Sequence, residues 1–393
     1  MNISFPFKIY IIALVLRLIP VLLTVNLGIG LDDMFQYDML ARSLASGNGF
    51  RWYAQEDLKL LEPYIDFDLS SAPGYDPENG IYTSFRAPLY PAFLAMIYSF
   101  SGLDFSRFFA ARIAQVVLLG APLAPLTYLV AIRFFSFPRT ATERIARLSA
   151  WMVACYPILL VYPLGLGTEN LFFILLLASF LFLLETIETP SALNYLLAGF
   201  FLALTALTRS VVIPFVCFVF IYLLYLHRIK AATAPLAFVL IVAPWMVRNS
   251  LLHQKLTGIE TSLGYNLYLG YHPEGNGSFI FGPSLDLLTI MDDAERDSVG
   301  TQKALEFIRA EPERLIPLAV NRLGFFFGLE KRVLMYFYSN NILGFIPPPL
   351  LLLISAILLL PFVFLSIFAV AGFASLERSP QKILLGLLFF TYI

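Results

Sequence analysis

Two adjacent carboxylates, Asp32 and Asp33, directly follow the first apolar segment of the chain. Residues 9–30 are long enough to cross a bilayer, so the acids lie where the chain would leave the membrane. A helical pattern follows, for which Asp32 is a suitable N-cap and Asp33 a suitable first-turn acid. Capping would keep a carboxylate ionised but lower its basicity. The alternative role is that of a base at the membrane surface.

Several arginines stand where a headgroup phosphate would lie. Arg86 ends the first hydrophilic segment, just before Pro88 and Pro91, and suits either a phosphate or a snorkelling role. Arg209 and Arg248 lie at the outer ends of two later apolar segments. Positive charge there runs against the positive-inside bias, which favours a role with an anionic headgroup.

Two further ionisable residues interrupt apolar sequence. Glu169, between Thr168 and Asn170, either stabilises the start of a helix or faces a polar cavity. Arg17 lies inside the first span, which by default indicates function. The long arginine side chain favours the simpler interpretation, in which it reaches the cytoplasmic face or a partner.

The composition requires a membrane to position these residues. Of 393 residues, 59% are hydrophobic and 13% are charged, and several apolar runs approach the roughly 20 residues that span a bilayer. The net charge of −1 argues against a nucleic-acid partner. The predicted spans are 8–30, 107–134, 145–165, 169–186, 192–208, 211–228, 232–248 and 346–374.

The short loops predict how these spans are oriented. Their lysines and arginines fall on one side of the alternating arrangement, which is therefore cytoplasmic. The long hydrophilic segments 31–86 and 249–345 then face outward. We expect a single transmembrane domain over 1–393. Its end is expected to be incomplete, because the 12 residues from Lys382 to Ile393 cover only about 18 Å as a helix.

The order and spacing of these motifs resemble the membrane-embedded GT-C glycosyltransferases over about residues 8–275. The most similar branch comprises bacterial relatives of the dolichyl-phosphate-mannose protein mannosyltransferases and the lipid A aminoarabinose transferase. The matching positions are Asp32-Asp33, Tyr37, Ala41, Leu44-Ala45, Gly47, Gly49-Phe50, Arg86-Ala87-Pro88-Leu89-Tyr90-Pro91, Thr168-Glu169, Leu207-Thr208-Arg209, Pro244-Trp245 and Arg248-Asn249.

The resemblance implies an all-α polytopic membrane protein, a GT-C-type helix bundle whose two long outward loops carry interfacial helices. It implies a polyprenyl-phosphate sugar donor and Asp32 as the base, with Asp33 supporting it or contacting a divalent metal. Arg86 is the expected phosphate ligand. The remaining expected substrate-binding residues are Tyr37, Tyr90, Glu169, Arg209, Arg248 and Asn249.

The expected reaction is inverting sugar transfer to an acceptor hydroxyl of a lipid, glycan or protein. It would take place on the periplasmic or extracellular side of a bacterial inner membrane. One alternative is a transporter or flippase for a lipid-linked sugar or small anion, although no internal repeat is visible. Another is a non-catalytic protein that binds lipid-linked sugars.

Overall fold

The computed structural model describes residues 4–62, 69, 70, 72, 74–328 and 344–392. Parts of both predicted outer segments, 63–68 and 329–343 among them, lie outside the described residues, as does Ile393. The regular structure is almost entirely helical, and the chain divides into two compact units. The first unit comprises the described residues of Met1–Gly30, Phe100–Ile241 and Glu330–Ile393. The second comprises those of Leu31–Ser99 and Val242–Leu329.

The helices follow one another with short connections. The first nine are α1 (Phe5–Leu23), α2 (Asp33–Ala45), α3 (Gln55–Leu61), α4 (Leu89–Ser101), α5 (Arg107–Ala114), α6 (Leu123–Phe134), α7 (Arg139–Cys155), α8 (Pro157–Val161) and α9 (Thr168–Glu188). The next nine are α10 (Ala192–Thr208), α11 (Ile213–His227), α12 (Thr233–His253), α13 (Leu263–Tyr271), α14 (Phe281–Asp286), α15 (Asp293–Ala310), α16 (Leu315–Phe327), α17 (Pro348–Ser375) and α18 (Pro380–Tyr392).

Apolar helices of membrane-spanning length confirm the prediction of an all-α membrane protein. The described residues contain five stretches that are long and apolar enough, namely Phe5–Leu23, Arg107–Phe134, Thr168–Glu188, Ser210–His253 and Pro348–Ser375. A sixth results if Arg139–Cys155 and Pro157–Leu164, bent by 52°, form one span. The orientation of these helices and their membership of a single domain stay predictions.

The stretch Ser210–His253 is a helical hairpin rather than a continuous rod. Arg228 has a φ of 53°, which interrupts the helix between α11 and α12. The rings of Phe220 and Phe238 stand 5.6 Å apart, although 18 residues would cover about 27 Å along one helix. Two antiparallel helices therefore pack here, as the separate spans predicted at 211–228 and 232–248 require.

Arg17 is fully buried in the first unit, and the prediction that it snorkels to the cytoplasmic face is wrong. Its guanidinium donates to the carbonyl oxygens of Val153 at 2.8 Å and Ala154 at 3.1 Å. Pro157 has no N–H for the carbonyl of Val153, and α7 ends at this point. Arg17 thus satisfies backbone groups that the break between α7 and α8 leaves without helical partners.

The second unit contains the described parts of both long hydrophilic segments. A two-stranded antiparallel sheet pairs β1 (Arg51–Trp52) with β2 (Ile81–Tyr82). Gly80 has a φ of 77°, and a Cβ there would collide with the backbone of Trp52. Helices α13 and α15 pack closely because neither Gly264 nor Gly300 has a side chain at their contact. These elements place the loop after β2 beside the start of α15.

Candidate functional site

The N-terminus of α2 carries the acid pair on the surface of the second unit. Asp32 is the N-cap, and its Oδ1 accepts the N–H of Met34 at 2.9 Å. Asp33 occupies the first turn, as the capping interpretation predicts. Both residues are exposed, whereas the next turn buries Met34, Phe35 and Tyr37. The acids are therefore presented to solvent by a helix whose opposite face is fixed in the protein.

Arg86 lies against this helix terminus, although 53 residues separate it from Asp33. Its Nη2 pairs with Oδ1 of Asp33, and its Nε donates to the side-chain oxygen of Gln36 at 2.8 Å. The guanidinium carbon is 5.3 Å from the ring centre of Tyr37. The side chain of Asp33 is 67% exposed and that of Arg86 is 17% exposed. We call Asp32, Asp33, Gln36, Tyr37 and Arg86 the acid–arginine site.

A buried ion pair holds the segment that carries Arg86. Asp293, at the start of α15, accepts the hydroxyl of Thr83 at 2.6 Å and the N–H of Ser84 at 2.9 Å. Arg296 pairs with the same carboxylate at 3.1 Å. Since Thr83 follows β2 directly, the sheet and α15 together fix the backbone two residues before Arg86.

Electrostatics distinguish Asp32 from an ordinary surface aspartate. The pKa of Asp32 is raised, because the surrounding protein removes part of its water and the charge of Asp33 repels the ionised form. The N–H of Met34 opposes this shift without cancelling it. The expectation that capping lowers the basicity of Asp32 is therefore wrong. Burial opposes ionisation of Arg86, but nearby Tyr37 and Asp33 leave the pKa of Arg86 raised.

Tyr37 and Tyr90 form a buried support behind Arg86. Their rings meet edge to face with centres 5.2 Å apart, and Tyr90 stacks on Phe93. Tyr37 is 5% exposed and Tyr90 is fully buried. This position fits a role in orienting the arginine from behind. Direct substrate binding by either tyrosine stays a prediction.

Arg248 and Asn249 are engaged by the protein backbone. Arg248 donates to the carbonyl oxygen of Thr83 at 2.6 Å, and its guanidinium carbon is 4.9 Å from the ring centre of Trp245. Asn249 is fully buried and donates to the carbonyl oxygens of Gly258 and Ile259 at 2.9 and 3.1 Å. They connect the end of α12 to two loops, and their predicted substrate contacts stay predictions.

Glu169 and Arg209 form an ion pair of their own in the first unit. Glu169 lies in the first turn of α9, and Arg209 follows the last residue of α10. The guanidinium also lies 3.4 Å from the Thr168 hydroxyl. The side chains of Arg209 and Glu169 are 37% and 35% exposed. The pairing shows that both residues, predicted separately to be outer residues, lie at the same end of this helix pair.

The acid pair does not fit a metal site in the described part of the chain. No group of three or more His, Cys, Asp or Glu side chains stands close enough there to hold a metal ion. Asp33 is bound by Arg86, and one oxygen of Asp32 is occupied by the N–H of Met34. We therefore assign no step of the chemistry to a metal at this site.

The sequence gave no indication of a buried cluster further along α2. Arg42 binds Asp38 at 2.8 Å and also pairs with Asp57. Asp38 accepts the hydroxyl of Tyr98 at 2.9 Å, while Asp57 accepts the N–H of Ala54 at 3.1 Å. We call Asp38, Arg42, Asp57 and Tyr98 the Arg42 cluster. It ties α2, α3 and α4 together beneath the acid–arginine site.

A hydrogen-bonded chain of Ser84, His253 and Asp292 also went unrecognised. Ser84 Oγ lies 2.7 Å from Nε2 of His253, and Nδ1 of His253 lies 3.0 Å from Oδ2 of Asp292. The order matches a serine nucleophile relay, but Ser84 is fully buried and cannot meet a substrate in this arrangement. No single motif marks these residues, since 169 residues separate Ser84 from His253.

The chain was compared with family models, curated proteins and solved structures, and none of the three comparisons found a match.

Proposed function

We propose that the protein is a membrane-embedded glycosyltransferase of the GT-C type. It would move a sugar from a polyprenyl-phosphate donor to an acceptor hydroxyl at the outer face of a bacterial inner membrane. The observation that carries this proposal is the meeting of Asp32, Asp33 and Arg86 at one solvent-exposed helix terminus. A base and a phosphate-binding cation are the two groups that this reaction needs close together.

Asp32 is the proposed base. In the described part of the chain it forms no ion pair, and one of its carboxylate oxygens caps α2. Its other oxygen takes the proton of the acceptor hydroxyl as that oxygen attacks the anomeric carbon of the sugar. The raised pKa favours this transfer, because a more basic carboxylate accepts a proton more readily. Direct attack on the opposite face from the phosphate inverts the anomeric centre.

Arg86 is the proposed ligand of the departing phosphate. As the bond between the anomeric carbon and the phosphate oxygen breaks, its electron pair remains on the polyprenyl phosphate, whose negative charge increases. A guanidinium can bind two phosphate oxygens at once and stabilise that charge. Asp33 is well exposed, so its ion pair with Arg86 can give way to the donor phosphate at small cost.

Turnover of defined donors tests the proposal. Purified full-length protein is incubated with a polyprenyl-phosphate hexose or pentose and with lipid, glycan and peptide acceptors, and the products are identified by mass spectrometry. We expect release of polyprenyl phosphate together with a glycosylated acceptor. A protein that consumes no donor, but carries the intact donor across a vesicle bilayer, would instead be a flippase.

A further inference from the structure

A polar groove runs along one face of α15 in the second unit. Its cavity volume is about 580 Å³, within the range of small-ligand sites. The helix residues that line it begin at Ala294 and end at Arg309, at spacings of three and four that keep them on one face. That distance is about 22 Å along a helix. The loop from Lys255 to Thr261 forms the opposite wall, and the cavity between them is the α15 groove.

The α15 groove offers hydrogen-bond donors and acceptors of both charges. Its lining includes the carboxylates of Glu260, Asp297 and Glu306, the cations Lys255 and Arg309, and several hydroxyl and amide side chains. An anionic ligand would face the three carboxylates, and a cationic ligand would face the lysine and arginine. A neutral, hydroxyl-rich ligand avoids both conflicts, because each of its hydroxyls can donate and accept.

A buried relay fixes one hydroxyl of the groove wall. Thr261 is 3% exposed, and its hydroxyl oxygen lies 3.0 Å from Oγ of Ser84. With Asp292 accepting from Nδ1 of a neutral His253, Nε2 accepts the proton of Ser84. Thr261 must then donate to Ser84. A wall hydroxyl ordered by three buried or half-buried groups is preorganised for a polar ligand.

The α15 groove adjoins the acid–arginine site. The N–H of Thr261 donates to the carbonyl oxygen of Ser84 at 3.0 Å, only two residues before Arg86. Glu260 lines the groove, and its charge contributes to the raised pKa of Arg86. A ligand in the groove would therefore extend towards the residues proposed to perform the transfer.

We propose that the α15 groove binds the acceptor as a neutral oligosaccharide and leads one of its hydroxyls to Asp32. This inference rests on the proposed function, because it identifies the chemical class of the acceptor. The length of the groove favours an extended glycan over a single monosaccharide. Thr261, held by the Ser84–His253–Asp292 relay, is a positioning residue for that glycan.

A substitution that fills the groove provides the test. Ser298 is exposed and lies at the centre of the lining face of α15, so Ser298→Trp narrows the cavity at little cost to folding. Lys303 is exposed on the same helix outside the lining, which makes Lys303→Trp the matched control. The full-length proteins in detergent are applied to an array of neutral oligosaccharides with hexose, N-acetylhexosamine and pentose units, together with uncharged peptides.

We expect the wild type and Lys303→Trp to bind oligosaccharides, and Ser298→Trp to bind them about tenfold more weakly or worse, a difference of ~1.4 kcal/mol or more. Absence of oligosaccharide binding by the wild type, binding to peptides alone, or equal binding by Ser298→Trp would overturn the inference. Oligosaccharide binding that depends on Ser298, in a protein that consumes no polyprenyl-phosphate donor, would retain the groove as a saccharide site and refute the transferase.

Discussion

Helix α2 carries two acid–arginine clusters, one at its first turn and one about two turns later. The arginines have the same exposure, since the side chains of Arg86 and Arg42 are each 17% exposed. The acids differ, because Asp33 is 67% exposed while Asp38 and Asp57 are 1% and 3% exposed. Exposure of the acid therefore determines which arginine can exchange its partner for a ligand.

The Arg42 cluster should be essential for folding. Arg42→Met would leave two buried carboxylates without their cation, which costs about 3–5 kcal/mol. The matched change Arg86→Met leaves only an exposed carboxylate and should cost about 1 kcal/mol or less. Thermal unfolding of the purified proteins measures both. Equal stability of the two variants would remove the distinction between the clusters.

Arg86 should govern use of the donor. A charge-assisted contact contributes about 1.5–3 kcal/mol, so Arg86→Gln should weaken donor use by roughly 10- to 150-fold. Arg86→Lys should recover part of the loss, because lysine supplies the charge without the planar fork. Titration of the donor against each variant measures the effect. Unchanged donor affinity and turnover in Arg86→Gln would move the phosphate site elsewhere, to Arg248 or Arg209.

The pH dependence should report the state of Asp32. A base must be ionised, so activity should fall as the pH drops through the raised pKa of Asp32, above the range of an ordinary aspartate. Asp33→Asn removes a like charge and should shift this acid limb to lower pH. The profile of kcat/KM for both proteins tests this. An acid limb that stays in place after Asp33→Asn would show that another group titrates.

The Glu169–Arg209 pair should have the smallest effect on stability. Both side chains are more than one third exposed, and such pairs contribute about 0–1 kcal/mol. Arg209→Gln should therefore change the free energy of unfolding by no more than ~1 kcal/mol. If it also leaves donor and acceptor KM unchanged, the prediction that this pair binds substrate is wrong.

Local features of the sequence predicted much of what the structure contains. The apolar runs indicated long helices, and the position of Asp32 before a helical pattern indicated an N-cap, which the hydrogen bond from Met34 confirms. Glu169 in a first helical turn was predicted for the same reason. These features depend on residues only a few positions apart, where side-chain chemistry and helix geometry suffice.

Contacts between distant parts of the chain could not be predicted in this way. Arg17 was expected to snorkel, but it binds carbonyl groups more than 130 residues away, at a helix break that only the fold brings near it. The pKa of Asp32 was expected to follow its cap, but desolvation by the surrounding protein dominates. The α15 groove was missed because its walls are polar and no motif marks their approach.

The turnover of Asp32→Asn tests the central claim most directly. Asparagine keeps the shape and capping ability of aspartate but cannot accept the proton, and a general base contributes about 10²- to 10⁴-fold to rate. We predict that purified Asp32→Asn unfolds at nearly the same temperature as the wild type while its sugar transfer from a polyprenyl-phosphate donor falls by that factor. Transfer at the wild-type rate would contradict the assignment of the acid–arginine site as the catalytic centre.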